Sequence, residues 1–99
     1  MTFTTTTDKN LTLLRIEGEL DALSVADLRP TLDKLVAEGH RSVVVDLSAL
    51  RMIDSSGVGS IVSLYKRIRA AGGQVVVRGA REQPLAILKL LRIDKVLMP

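Results

Sequence analysis

The stretch from Val43 to Gly59 reads V-V-V-D-L-S-A-L-R-M-I-D-S-S-G-V-G, an apolar run, a turn-like segment and a helical pattern in succession. Val43-Val44-Val45 is a continuous β-branched run of the kind that suits a strand buried on both faces. Asp46 to Ala49 has turn character, and three apolar anchors follow, Leu50, Met52 and Ile53. Asp54-Ser55-Ser56-Gly57 then opens a helical pattern. A carboxylate and two hydroxyls therefore stand where a strand gives way to a helix. The first N–H groups of a helix have no partner within it, so such a corner favours acceptors.

On the C-terminal side, Val58, Ile61, Val62, Tyr65 and Ile68 fall on one side of the expected helix. Lys66, Arg67 and Arg69 complement its dipole, and Gly72-Gly73 ends it. Gln74 to Arg78 holds a second valine run and reads as a strand. Pro84 suits the first turn of a third helix through Leu85, Leu88 and Leu91. A short strand near Val96 to Met98 is expected to close the sheet.

On the N-terminal side, Phe3 to Thr7 and residues 11–17 form a hairpin about the turn Asp8-Lys9-Asn10. Leu14, Ile16, Gly18 and Leu20 share one face by period-two spacing. Ser24 is expected to cap the next helix, with Asp27 completing a partial capping box. Its stripe is Val25, Leu28, Leu32, Leu35 and Val36, and Gly39 is its stop. Pro30 is discordant, because its ring clashes with the Ala26 carbonyl; a kink or a later helix start is expected.

The order β-β-α-β-α-β-α-β predicts an α/β fold. A mixed sheet of four or five strands carries helices mainly on one face, with parallel pairs at the crossovers. The expected core includes Leu14, Ile16, Leu32, Val44, Val62 and Ile68. Ninety-nine residues suit one domain, 1–99. Phe3 and Tyr65 are the only aromatics, so the core must be aliphatic.

Composition excludes several functions. No cysteine is present, which removes disulfides, thiol catalysis and cysteine zinc sites. No run reaches the roughly 18 apolar residues of a membrane span, and no export signal is visible, so a cytoplasmic location is expected. The only histidine, His40, sits at a helix end, and the elbow G-x-S-x-G is missing, which argues against a serine hydrolase. No phosphate-cradling G-x-x-x-x-G-K-[ST] occurs, and Asp46 with Asp54 are too few ligands for a calcium site. Neither a catalytic residue, a cofactor nor a metal is expected. Residues 1–50 carry five basic and eight acidic side chains, whereas residues 51–99 carry nine and three. The basic half suggests solvated helix faces or an acidic partner. Direct nucleic-acid binding is disfavoured by the lack of stacking aromatics.

The plain structural reading of D-S-S-G is a capped helix, with Asp54 or Ser55 accepting from the first amides. The functional reading is an exposed serine placed for modification. A phosphoryl group would add about −1.5 to −2 charges. At a docking surface shared with Asp21 and Asp54 it would repel a partner without changing the fold. Asp21, Ser55, Ser56 and Val58 are expected together at one end of the sheet, with Val58 at least partly exposed as an apolar contact; the plain alternative is that Val58 is core.

Four segments in order carry a family resemblance. They are Gly18-Glu19-Leu20-Asp21, Val44-Val45-Asp46-Leu47-Ser48, Met52-Ile53-Asp54-Ser55-Ser56-Gly57-Val58-Gly59 and Ala70-Ala71-Gly72-Gly73. Nearly the whole chain resembles a STAS domain, and more narrowly the bacterial anti-sigma factor antagonists. The resemblance implies Ser55 as phosphorylation site, with Ser56 as fallback. Partner binding is expected through Asp21, Asp54, Ser55, Ser56, Gly57 and Val58, because the two strand-to-helix junctions carry the polar motifs. The implied partners are an anti-sigma factor that is also a serine kinase, bringing its own ATP and magnesium, and a serine phosphatase. Unphosphorylated antagonist would hold the anti-sigma factor and free a sigma factor for transcription. A monomer or weak dimer is expected, away from membranes. The chain departs from the family pattern at Arg92, where glycine is frequent, and in its pI near 9.7. The alternative is a constitutive module of the same fold, a transporter accessory subunit or a signalling scaffold.

Overall fold

A computed structural model describes residues 1–99. Strands β1 (Thr2–Asp8) and β2 (Leu11–Leu20) form the expected antiparallel hairpin. Then come helix α1 (Ala22–Ala37), strands β3 (Ser42–Asp46) and β4 (Leu50–Ile53), helix α2 (Ser55–Ala70) and strand β5 (Gln74–Arg78). Helices α3 (Glu82–Leu90) and α4 (Asp94–Leu97) complete the chain. The sheet is mixed and five-stranded, in the order β1-β2-β3-β5, with β4 paired to β2.

Strand β2 organises the sheet. Thr12 to Arg15 pair in parallel with Val43 to Asp46 of β3. Further along, Gly18, Glu19 and Leu20 pair in parallel with Leu50, Met52 and Ile53 of β4. The register shifts between Gly18 and Glu19, where Gly18 has φ +91°. Only glycine takes that conformation without a Cβ penalty, so Gly18 is where β2 changes partner.

Burial is one-sided. Leu14, Ile16, Leu20, Val43, Val45, Val75 and Val77 are buried and join α1, α2, Leu88 and Leu97 in one aliphatic cluster. The opposite face, carrying Leu13, Val44 and Val76 in one cross-strand row, is half-buried. Val44 is therefore not core, and β3 is not covered on both faces. The helices lie on one side of the sheet, and period two turns Val44 away from them. Val62 is partly buried at the core margin, while Leu14, Ile16, Leu32 and Ile68 are core as expected.

Local expectations are corrected at several points. Asp21, not Ser24, is the N-cap of α1; Ser24 is its reciprocal partner three residues on. Helix α1 runs unbroken through Pro30, so it does not start late. Pro30 and Ala26 both face solvent, where water can serve the carbonyl that proline leaves without a donor. Residues 50–53 are a strand rather than loose anchors, and Val96 lies in the short helix α4 rather than in a closing strand. Leu91 is exposed, because α3 ends at Leu90 and the chain turns away.

That turn holds Arg92 at φ +59°. Arg92 N–H donates to the Lys89 carbonyl at 3.0 Å and Ile93 N–H to the Leu88 carbonyl at 3.1 Å, a left-handed helix stop on a non-glycine residue. Left-handed backbone costs an L-residue about 1–2 kcal/mol, and glycine's greater unfolded freedom returns part of that. Arg92→Gly should therefore stabilise the protein by about 0.5–1 kcal/mol. The melting temperature should rise by about 2–8 °C. A lower melting temperature would show that the arginine side chain contributes more than its backbone costs.

Candidate docking site

Two strand ends build the site. Leu20 and Ile53 are partners in the β2–β4 pair, and Asp54 N–H donates to the Leu20 carbonyl at 3.1 Å. The residues after them, Asp21 and Asp54, therefore emerge side by side, and each caps the helix that follows. Parallel pairing is the cause, because it points both strand ends, and both helix starts, the same way.

The two caps differ in detail. The Asp21 carboxylate accepts from Leu23 N–H at 3.1 Å and Ser24 N–H at 2.9 Å. Ser24 Oγ in turn accepts from Asp21 N–H at 2.8 Å. The bond from the Ser24 amide, with help from its hydroxyl and the Leu23 amide, holds the Asp21 carboxyl below the usual carboxylate range. The Asp54 carboxylate accepts from Gly57 N–H at 2.9 Å.

Gly57 is the tightest point. A Cβ there would sit 2.6 Å from the Leu20 carbonyl oxygen and 2.7 Å from Ile53 Cγ1. Glycine lets the first turn of α2 press directly on the end of β2. This fixes the height of Ser55 above the sheet. Val58 is buried at 6% exposure and belongs to the core stripe with Ile61, Leu64 and Ile68. It is not an exposed apolar contact, and the helical period that puts Ile61 inward puts Val58 inward too. Gly57 is buried as well, so it shapes the site from beneath.

Ser55 is the first residue of α2 and is exposed. Asp54 is the cap, so Ser55 is free of that duty. Ser56, also exposed, opens onto a groove of about 450 Å³ between α1 and α2, with Arg29 and Arg67. The two serines thus face different surroundings. The corner itself is a shallow depression of about 150 Å³ lined by Glu19, Leu20, Asp21, Met52, Ile53 and Asp54.

Val58 being core, the exposed aliphatics near the two caps are other residues. Leu23, two residues past Asp21, is 85% exposed, and Met52, two before Asp54, is 47% exposed. A signal was available for Leu23, a large aliphatic off the stripe of Val25, Leu28, Leu32 and Leu35. Met52 lacked one, because β4 was not recognised as a strand. The corner therefore presents the two carboxylates and Met52, with the exposed Ser55 directly after Asp54 and the exposed Leu23 two residues after Asp21, while Ser56 opens onto the α1–α2 groove. No group of three or more potential metal-ligating side chains occurs, and no helix is long and apolar enough to cross a membrane.

Away from this corner, Asp46 lies between Arg15 at 3.6 Å and Arg78 at 3.4 Å on the half-open sheet face. Burial pushes its carboxyl up, but the bonds from Ser48 and the charge of Arg78 outweigh this and hold it below the ordinary value. This cluster ties β2, β3 and β5 together and takes no part in the docking corner.

Comparison with known proteins agrees with this architecture. An anti-sigma F factor antagonist from Paenibacillus polymyxa is 31% identical over 70 residues, which is 70% of this chain and 60% of the relative. An anti-sigma factor antagonist STAS domain from Rhodobacter sphaeroides is 28% identical with a TM-score of 0.67, covering 79% of this chain and 85% of that one. The Bacillus cell fate determinant SpoIIAA in its phosphorylated form is 19% identical with a TM-score of 0.81, covering 99% of this chain and 89% of that one. The family model for the STAS domain matches residues 2–99, and the chain belongs to the STAS domain family.

Proposed function

We propose that the protein is an anti-sigma factor antagonist, a binding module rather than an enzyme, switched by phosphorylation of Ser55. The observation that carries this reading is the position of Ser55. It is an exposed hydroxyl at the first turn of α2, directly after the Asp54 cap and at the paired strand ends from which Asp21 also emerges, and the aliphatics Leu23 and Met52, each two residues from a capping aspartate, are exposed. A partner can bury those aliphatics, and it must then desolvate whatever Ser55 carries. The names of the relatives support the partner class, an anti-sigma factor. A neighbour of the same fold has been solved in unphosphorylated and phosphorylated forms, which supports a switch of this kind.

The chemistry is economical. A phosphoryl group on Ser55 lies at a helix N-terminus, where the dipole and first-turn amides tolerate negative charge. The fold therefore survives modification. The docking corner does not, because the new charge adds to Asp21 and Asp54 where the partner must pack. On this reading the partner is also the kinase and brings ATP and magnesium, a separate phosphatase resets the serine, and the chain needs no cofactor. Free antagonist holds the anti-sigma factor and so releases a sigma factor, in the cytoplasm.

The test is incubation with candidate anti-sigma kinases and ATP, followed by mass spectrometry. The expected result is one phosphoryl group on the peptide containing Ser55, and none on Ser55→Ala. Modification of Ser56 alone, or a stable complex whose formation ignores ATP, would contradict the reading. The second result would favour a constitutive interaction module.

A further inference from the structure

We propose that Gln83 is a positioning residue for the Ser55 corner. Its side-chain amide, carried on α3, clamps the backbone of Ile53 and so fixes the Asp54–Ser55 turn. Strand β4 pairs only with β2. The Asp54 N–H faces that partner, so by strand alternation the N–H and C=O of Ile53 project from the other edge. No strand lies on that side. Ile53 is 3% exposed, and bare backbone groups there would be costly.

Gln83 supplies both missing partners. Ile53 N–H donates to Gln83 Oε1 at 2.9 Å, and Gln83 Nε2 donates to the Ile53 carbonyl at 2.9 Å. A side-chain amide offers donor and acceptor side by side, as a peptide edge does. Leucine offers neither, and an ionised glutamate offers the acceptor only. The entry to α3 is bent to make this fit. Glu82 has φ +54°, a left-handed conformation on a non-glycine residue, and Arg81 gives the helix no side-chain cap. The strain at Glu82 goes with delivery of the next side chain, Gln83, onto β4.

One residue beyond the clamp begins the Asp54–Gly57 cap, and two beyond it stands Ser55. Gln83 thus ties α3, and with it the C-terminal part of the chain, to the docking corner. The consequence for switching rests on the Ser55 reading above, whereas the clamp itself does not. A purely local role, in which Gln83 satisfies Ile53 and nothing more, is the competing account.

Amide hydrogen exchange of the intact protein separates the two. The variants are Gln83→Leu and Gln83→Glu, with Val45 and Val77 as remote reporters. Gln83→Leu should speed exchange of both Ile53 and Gly57 at least about tenfold relative to the reporters. Gln83→Glu, which keeps the acceptor, should fall between. Faster exchange at Ile53 with Gly57 unchanged would overturn the proposal, because the clamp would not reach the cap. An equal rise at every amide would also overturn it, since the effect would then be on global stability. Loosening of Gly57 together with unaltered partner binding would leave the clamp standing and count against the functional reading of Ser55.

Discussion

Ser55→Asp should weaken binding of the anti-sigma partner about a hundredfold while leaving the fold intact. The new carboxylate follows Asp54 directly and adds to the charge of Asp21 at the same pair of strand ends, on a surface that the proposed partner must desolvate. Like charges brought together in an interface cost several kcal/mol, and about 3 kcal/mol is roughly two decades of affinity. The fold should tolerate the change because Ser55 is exposed at a helix start and a negative charge there is favourable. Ser55→Ala should bind as the wild type does. Asp54 provides the cap through its bond to Gly57, so the alanine variant loses no cap and should melt within a few degrees of wild type. Weak binding by both variants would mean that the hydroxyl itself is a contact.

Gly57→Ala should lower the melting temperature by about 8–16 °C. The added methyl would meet the Leu20 carbonyl oxygen at 2.6 Å and Ile53 Cγ1 at 2.7 Å. One of these is backbone in a paired strand and cannot swing aside, so the start of α2 must lift or β2 must yield. Overpacking of this kind costs about 1–3 kcal/mol or more, and alanine's better helix propensity offsets only up to about 1 kcal/mol. The top of that range less the propensity gain is a net loss of about 2 kcal/mol, which corresponds to the stated shift for a domain of this size. A thermal melt of the variant decides it. An unchanged melting temperature would mean that the α2 start is not pressed on the end of β2.

Much of this corner was legible before any coordinates. The D-S-S-G stretch marked a helix start because a carboxylate, two small polar residues and glycine suit no other place between two apolar patterns. The period-two face of Leu14, Ile16, Gly18 and Leu20 carries β2 beyond residue 17 to its end at Leu20, just before Asp21. The pairing of these two ends was not legible, because it depends on a register shift at Gly18 that no local pattern encodes. Strand β4 was missed for the same cause. Its buried residues, Leu50 and Ile53, are three apart, and a strand that short and irregular shows no period of two. The valine run of β3 suits a strand covered on both faces, yet helices on one side of the sheet leave Val44 half-buried, because three consecutive valines carry no alternation to mark the open face. At Val58 two expectations conflicted, a core stripe and a contact beside the motif, and the helical period won. Helix α4 has four residues, too few to show a period. Gln83 carried no signal at all, because its role exists only where α3 meets the free edge of β4.

On the proposed reading, one phosphoryl group on Ser55 controls docking. Isothermal titration of the anti-sigma partner with unmodified protein and with protein phosphorylated at Ser55 measures this. The phosphoserine form should bind more weakly than Ser55→Asp, because phosphate carries about −1.5 to −2 charges where aspartate carries one. The expected order is wild type close to Ser55→Ala, then Ser55→Asp, then phosphoserine weakest. Equal affinity for the unmodified and phosphorylated forms would contradict the switch.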